Sequence, residues 1–321
     1  MKEKYDFNHK FEKLGRIDSD DTALILAAKM SKKARNNSIF VITEENIKEL
    51  TAQIKKLIIN DTNQDLIRFQ IIHFSESHAI FGEFEIDKRS TPSTLRYLHC
   101  DPLPPMTKFT DIITSTFREE ISPIANIEIY DSDVTLQKGL GCSYFSIDGA
   151  MMLATPPNHT YCPNVIEYIK KYGEEKNNAF EEKNIRYIQS ASLPPRLIRG
   201  LQYIDDGTGN ANYIRGLNSL IFNAAEKNTI INKDGDTAES AIRKDLKTGP
   251  SKINPNEMRT FNIRAERKMQ NYGDSVRDFI QDKNINDPEF SSIIEQYKIN
   301  GLIQFCEDKM ENTIDPKMQP K

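Results

Sequence analysis

Three short runs of strand-forming residues follow one another between residues 66 and 100, and a proline-rich segment ends the third run. Apolar and polar residues alternate most clearly in the second run, 79–86, which lies between the runs 66–73 and 95–100. The segment 101–105, Asp-Pro-Leu-Pro-Pro, cannot continue a strand or a helix, because proline lacks the N–H donor and fixes φ. The pattern therefore predicts three strands in one sheet, with a loop at a strand end.

Apolar residues with helical spacing occur on both sides of these strands, which predicts an α+β fold with a layered sheet. The apolar patch 23–28 predicts one short amphipathic helix in an otherwise polar N-terminal stretch, and 38–42 and 126–130 predict two more strands. Beyond Pro194 the chain is rich in Asn, Lys and Glu, and its remaining apolar spacing predicts helices. The other predicted helices cover 47–58, 109–117, 142–154, 212–226, 258–274 and 290–309.

Composition excludes several classes of protein. Of 321 residues, 38% are hydrophobic and 9% aromatic, which is enough for packed cores and argues against global disorder. No apolar run approaches the length of a membrane span, and the charged N-terminus lacks the apolar region of a secretory signal peptide, so we expect synthesis in a cytosol. The net charge of −4 argues against nucleic acid as a general partner.

The four cysteines are widely separated and form no Cys-x-x-Cys pair or His/Cys cluster at metal-binding spacing. Neither a zinc site nor a disulfide framework is therefore expected. The four are Cys100, Cys142, Cys162 and Cys306.

One of these cysteines has the companions that a nucleophile needs: a base to take its proton, an acid to orient the base, and dipoles to hold an oxyanion. The candidates in chain order are His78 at the start of a predicted strand, Asp101 at the end of the next, Gln137 in a loop and Cys142 at a helix start. Strand ends hold side chains on a common edge, and a helix N-terminus lowers the pKa of a cysteine.

Each candidate also has a structural interpretation. Cys142 is a small residue that packs well in a core, and Asp101 before a proline can begin a turn. His73 is an alternative base, although a position inside a strand favours a structural role. His99 and Cys100 are adjacent in a strand, so they point to opposite faces and do not form a catalytic pair.

Two further motifs are interpreted as loops or turns. His159 and Cys162 lie in an irregular, proline-containing segment with no acid on a rigid element nearby, which favours a loop role. The run 207–209, Gly-Thr-Gly, lacks the strand–turn–helix context and the lysine of a phosphate-binding loop, so we interpret it as a turn.

Residues 243–268 are strongly basic in an otherwise acidic chain. This range has eight basic and three acidic residues, which makes it a candidate anion site, with a solvated helix face as the alternative interpretation. The basic residues are Arg243, Lys244, Lys247, Lys252, Arg259, Arg264, Arg267 and Lys268.

Several segments in the same order resemble the YopJ-type effector acetyltransferases. The segment 136–147, which contains Gln137 and Cys142, is similar to the nucleophile segment of that family. The segments 77–81 and 98–102 resemble its histidine strand and the strand end that carries its acid. Weaker similarities follow at 193–202, 231–237 and 262–268, so the resemblance extends from about Leu66 to Tyr272.

This resemblance implies a cysteine-protease-like core of the ubiquitin-like-protease type. It implies that Cys142 takes acetyl from acetyl-CoA and passes it to Ser, Thr or Lys of a host protein, with His78 as base, Asp101 as orienting acid and Gln137 at the oxyanion. It further implies delivery into a host cell by a bacterial secretion system and activation by inositol hexakisphosphate. We assign the activator to Arg243, Lys244, Arg264, Arg267 and Lys268.

The expected domain organisation has three parts. It consists of an N-terminal helical segment, 1–62, that packs with the regulatory region, a catalytic core, 63–215, and a largely helical C-terminal regulatory region, 216–321.

The chain also departs from the family pattern. The acid is aspartate rather than glutamate, and Gln137 precedes the cysteine by one residue fewer than expected. Gly141 replaces an acidic residue, Ser143 replaces glycine, and Arg199 replaces a lysine. A ubiquitin-like-protein protease, which uses the same chemistry with water as acceptor, and an inactive binding module therefore remain alternative functions.

Overall fold

The structure is a computed structural model of the chain. It describes residues 17–31, 38–75, 78–102, 108–132, 136, 141–156, 164–172, 174–175, 184–190, 193–199, 228–250, 256, 258–283 and 288–311.

Nine strands, ten α-helices and one 3-10 helix, Glu44–Asn46, are assigned within these residues. The strands are β1 Ile39–Thr43, β2 Leu66–Ser75, β3 His78–Asp87, β4 Thr94–Cys100, β5 Asn126–Ser132, β6 Glu174–Glu175, β7 Ile185–Ser190, β8 Leu246–Pro250 and β9 Met258–Asn262. The helices are α1 Ser19–Met30, α2 Ile47–Ile59, α3 Lys108–Glu120, α4 Cys142–Leu153, α5 Val165–Tyr172, α6 Pro195–Ile198, α7 Ala238–Arg243, α8 Arg264–Asp282, α9 Pro288–Glu295 and α10 Ile299–Glu311.

A seven-stranded mixed sheet forms the centre, in the order β1-β2-β3-β4-β5-β7-β6. The three predicted strands are its antiparallel β2, β3 and β4, and β1, β5 and β7 join it in parallel. The predicted α+β class is confirmed, because this mixed sheet is flanked by helices and the described C-terminal part is largely helical. Strand β7 was not predicted from the sequence. Its residues Ile185 and Ile188 are buried in the structure.

The alternation in β3 separates two apolar layers. Ala79 and Phe81 pack with α1 and α4 on one face of the sheet, whereas Ile80 and Phe84 pack with α2 and α3 on the other. Gly149 of α4 lies so close to β3 that a Cβ there would be 2.5 Å from the Phe81 ring. The first layer therefore holds the cysteine helix directly against β3.

Helix α1 differs from the predicted amphipathic helix, because it is buried on nearly every side. Residues 23–28 are at most 1% exposed, since the helix packs against β1, α4, α8 and α9. Its Ala-Leu-Ile sequence suits a helix enclosed by protein.

The C-terminal predictions are partly wrong. The predicted helix 258–274 begins as strand β9 and becomes helical only at Arg264, and the predicted helix 290–309 is divided between α9 and α10. The predicted helix 212–226 lies outside the described residues. The division into 1–62, 63–215 and 216–321 stays a prediction, and β1, from the first of these ranges, belongs to the central sheet.

None of the described helices combines the length and apolar character required to cross a membrane.

Candidate functional site

His78 and Asp101 meet at the ends of neighbouring strands. The last pair in the register of β3 and β4 is Phe81 with Cys100, so β4 ends before it reaches the start of β3. Asp101 follows immediately and accepts a hydrogen bond at Oδ1 from Nε2 of His78, at 2.8 Å. Asp101 is buried and the His78 side chain is 14% exposed, so water weakens this contact little.

Cys142 is the first residue of α4, as predicted. Gly141 precedes the helix with φ of 134°, a conformation that L side chains rarely adopt, which gives this glycine a backbone role. The first N–H groups of a helix have no intrahelical acceptors and carry partial positive charge. The Cys142 sulfur therefore lies where a negative charge is stabilised.

Strand β3 fixes this helix through the backbone of Ala79. The Ala79 N–H donates a hydrogen bond to the Cys142 sulfur, and the Ala79 carbonyl accepts one from the Ser146 hydroxyl at 2.9 Å. Both contacts are possible because β4 stops short of Ala79. One residue of β3 thereby sets the position of the thiol next to the adjacent His78.

The site favours a thiolate–imidazolium pair. Burial alone lowers the pKa of His78, but the hydrogen bonds with Asp101 and Cys142 and their negative charges outweigh it and raise the pKa to about 9. Burial raises the pKa of Cys142, but hydrogen bonds from His78 and Ala79, the charge of His78 and the Ser143 hydroxyl lower it overall. Since Nε2 of His78 is bonded to Asp101, Nδ1 is the nitrogen left for the thiol.

This arrangement can perform nucleophilic catalysis at a carbonyl group. It has a cysteine with a lowered pKa, a base in hydrogen-bond contact with the sulfur, and a buried acid that orients the base. Gln137, the fourth predicted member, lies outside the described residues. Backbone N–H groups at the start of α4 are positioned to stabilise an oxyanion beside the sulfur.

The alternative histidines, His73 and His99, pair with Ile80 and Gly82 of β3, so they lie on the sheet face that packs with α2 and α3 and not on the face that holds α4. His73 is 1% exposed, and burial, together with the nearby His99 and His78, lowers its pKa to about 2. Burial also lowers the pKa of His99, whose Nδ1 is 3.3 Å from the hydroxyl of Tyr97. Burial therefore favours the neutral form of both imidazoles, and His78 is the histidine whose hydrogen bond lowers the pKa of Cys142.

Two other cysteines are poor nucleophiles. Burial raises the pKa of Cys100 well above its usual value and that of Cys306 to about 12. The loop residues His159 and Cys162 and the turn 207–209 lie outside the described residues. No group of three His, Cys, Asp or Glu side chains among the described residues could hold a metal ion.

The five basic residues assigned to the activator are each paired with a carboxylate. Asp245 contacts Arg264 at 3.6 Å and Arg267 at 2.6 Å, while Lys268 contacts Asp148 at 3.0 Å. Arg243 of α7 pairs with Glu239, and Lys244, the residue after α7, pairs with Asp236; both pairs are at the surface. Any anion must therefore compete with carboxylates, some of which lie outside the range 243–268.

Asp148 connects this basic region to the cysteine helix, and Arg199 lies close to Arg264; neither residue was assigned to the site from the sequence. Asp148 is buried in α4 and accepts hydrogen bonds from Lys268 and Tyr272 of α8. Arg199 is half-buried, and burial followed by repulsion from Arg264 lowers its pKa. The sequence signal for the contacts of Asp148 was a charged residue within the apolar helix 142–153. Its partners could not be predicted from local patterns, because they lie 120 and 124 residues away.

No protein-family model and no curated protein matches the chain. A solved structure described as "AvrA delL154 with IP6, CoA" has a TM-score of 0.49 and 16% identity, covering 81% of this chain and 90% of that chain. A crystal structure of HopZ1a in complex with IP6 has a TM-score of 0.44 and 7% identity, covering 82% of this chain and 85% of that chain. Both are YopJ-family effectors. At this level of similarity, neither likeness assigns an activity or a ligand to this chain.

Proposed function

We propose that the chain is a YopJ-type acetyltransferase that moves acetyl from acetyl-CoA through a Cys142 thioester to Ser, Thr or Lys of a host protein. The observation that carries the proposal is the contact of Cys142 with His78, which is itself held by Asp101 at 2.8 Å. A buried structural cysteine has no need of a charged base or an orienting acid. Delivery into a host cell by a secretion system belongs to the same proposal.

The proposed reaction has two acyl transfers. His78 takes the thiol proton, and the Cys142 sulfur attacks the acetyl carbonyl carbon while helix N–H groups stabilise the oxyanion. The C–S bond to CoA breaks, and His78 returns the proton to the leaving CoA sulfur. His78 then takes a proton from the host hydroxyl or amine, which attacks the thioester and releases the Cys142 thiolate. Asp101 stabilises the imidazolium each time it forms.

The same proposal includes activation by inositol hexakisphosphate at the basic region, since Lys and Arg complement phosphate oxygens. Arg199 adds a half-buried guanidinium near Arg264, and the two repel each other. A phosphate between them would relieve that repulsion. The contact of Lys268 with Asp148 then offers a route by which an anion changes the position of α4.

Consumption of acetyl-CoA tests the catalytic part. The full chain with inositol hexakisphosphate should release CoA thiol, His78→Ala should abolish the release, and His73→Ala should retain most of it. His73 is a matched control, because it is a histidine of the neighbouring strand β2 and pairs with Ile80, on the sheet face away from α4. Loss with His73→Ala and retention with His78→Ala would contradict the assignment.

The alternatives predict different products. A ubiquitin-like-protein protease would cleave a fluorophore from the C-terminus of a ubiquitin-like protein without consuming acetyl-CoA, because water would be its acceptor. An inactive binding module would do neither, although Cys142 could still be alkylated.

A thermal-shift experiment tests the activator. A ligand that binds only the folded form stabilises it by roughly 2.7 kcal/mol at a hundredfold excess over Kd, and added salt should reduce the effect. Arg264→Gln should reduce the shift, whereas Arg277→Gln should not, because Arg277 lies on the same helix and pairs with Asp274. No shift with the parent chain would remove the activator from the proposal.

A further inference from the structure

Ser143 connects the cysteine to a distant part of the chain. It directly follows Cys142 in α4, is only 7% exposed, and donates a hydrogen bond from Oγ to the Ile17 carbonyl at 3.0 Å. These two residues are 126 positions apart. The same hydroxyl is also near enough to the Cys142 sulfur to lower the pKa of the thiol.

The Ile17 carbonyl is held in place by the start of α1. Asp18 caps this helix by accepting a hydrogen bond from the Asp21 N–H at 2.8 Å, and the Asp21 side chain accepts one from the Asp18 N–H at 3.3 Å. Ile17 itself is 4% exposed and packs in the same apolar layer as α4. The acceptor for Ser143 is therefore a rigid feature of the docked helix.

A serine hydroxyl has one proton and can donate it to one acceptor at a time. We propose that Ser143 is a positioning residue for Cys142, whose hydroxyl proton is donated either to the Ile17 carbonyl or to the cysteine sulfur. Docking of α1 then determines how many donors face the sulfur. The inference rests on the proposed role of Cys142 as a nucleophile, but not on the identity of the acyl donor.

The coupling extends to the C-terminal helices, because α1 packs against them. Lys29 of α1 donates a hydrogen bond to the Asn271 carbonyl of α8 at 3.1 Å, and its ammonium group lies 5.2 Å from the centre of the Tyr272 ring. Asp20, in the first turn of α1, pairs with Lys298 at 2.8 Å. A change in α8 or α9 that moves α1 would therefore reach the residue next to the nucleophile.

Other titratable groups around α4 act at separate positions. His78 of β3 contacts the sulfur directly, and Asp101, following β4, acts through His78. From α8, Lys268 and Tyr272 contact Asp148, which lies more than one turn beyond Cys142. Asp18 and Asp21 at the start of α1 are engaged in the capping box. Substitutions at Ser143 and Asp18 leave the His78–Asp101 pair intact.

The rate of Cys142 alkylation by iodoacetamide, measured against pH in the full chain, tests the proposal. Ser143→Ala removes a donor to the thiolate, so the acid limb of the profile should move to higher pH. Asp18→Ala loosens the Ile17 carbonyl and frees the proton for sulfur, so the limb should move to lower pH. The two limbs should differ by about one pH unit, as expected for one hydrogen bond to a charged group.

The matched control is Asp18→Asn, because asparagine caps helices as well as aspartate and should leave the profile unchanged. In the Ser143→Ala background, Asp18→Ala should have no further effect on the profile, since the mediating hydroxyl is gone. Thermal melts of each variant report any loss of folding separately. Shifts in the same direction, no shift with Asp18→Ala, or a shift that persists without the Ser143 hydroxyl would overturn the proposal.

Alkylation needs no acetyl donor, which separates this inference from the proposed function. Opposite shifts in a chain that consumes no acetyl-CoA would support the coupling and refute the acetyltransferase. Consumption of acetyl-CoA without the opposite shifts would refute the coupling alone.

Discussion

Replacement of Asp101 by asparagine should make Cys142 less reactive at neutral pH while leaving the site folded. The asparagine oxygen can still accept the hydrogen bond that Nε2 of His78 donates at 2.8 Å, so the substitution removes the charge and keeps the shape. Asp101 helps to raise the pKa of His78 to about 9 against the effect of burial. Without its charge the imidazolium is less stable, and the proton returns to the thiol.

The size of the effect follows from this one contact. A hydrogen bond to a charged group is worth about 1.5–3 kcal/mol, and one pKa unit corresponds to about 1.4 kcal/mol. The pKa of His78 should therefore fall by about one to two units in Asp101→Asn. The ratio of thiolate–imidazolium to neutral pair falls by the same factor, about ten to a hundred, and this factor is the upper limit for the slowing of alkylation near neutral pH.

The assay is the second-order rate of iodoacetamide labelling at Cys142, located by peptide mass. Asp131→Asn is a matched control, because Asp131 lies in the neighbouring strand β5 and accepts a hydrogen bond from Tyr187. This control should label at the parent rate. An equal rate for Asp101→Asn and the parent would refute the assignment of Asp101 as the group that stabilises the His78 imidazolium.

Three further outcomes are expected. Cys142 should be alkylated much faster than Cys306, whose pKa burial raises to about 12; similar rates in the native protein would contradict the thiolate assignment. Gly149→Ala should lower the free energy of unfolding by roughly 1–3 kcal/mol in urea melts, and Phe81→Leu should restore part of it, because the new Cβ meets the Phe81 ring. Since His73 has a native pKa of about 2 against 6.5 when unfolded, its contribution to stability is fully present above pH 6.5 and is lost as the pH falls towards 2. In this pH range, His73→Gln should reduce the slope of the free energy of unfolding against pH, measured by urea melts, by about 1.4 kcal/mol per pH unit, and an unchanged slope would contradict burial of a neutral imidazole.

The sequence predicted the placement of those candidate site residues that lie at the ends of neighbouring strands. Consecutive runs of alternating residues pair as antiparallel strands, so a histidine that starts one strand and an acid that follows the next lie on one edge. The helix start at Cys142 was predictable from the apolar run that follows it. The positions of His78, Asp101 and Cys142 in their strands and helix could therefore be predicted from local sequence patterns.

Long-range contacts were not predictable in the same way. The patch 23–28 could form a helix on a surface or inside the protein, and only packing against α8 and α9 determined its burial. The bond from Ser143 to Ile17 spans 126 residues, and periodicity carries no information about such a pairing. The mixed pattern at 258–274 was interpreted as a single helix, although the first residues pair with β8 as a strand.

Mapping the acetyl group to a residue tests most directly whether Cys142 is the acyl carrier. The full chain is incubated with acetyl-CoA and inositol hexakisphosphate, quenched in acid and analysed by intact mass and by peptide mapping. We predict one acetyl group on the peptide that contains Cys142, sensitive to hydroxylamine as a thioester is, and absent in Cys142→Ala. An acetyl group that persists in Cys142→Ala, or the absence of any hydroxylamine-sensitive adduct in the parent chain, would contradict an acetyl-Cys142 intermediate.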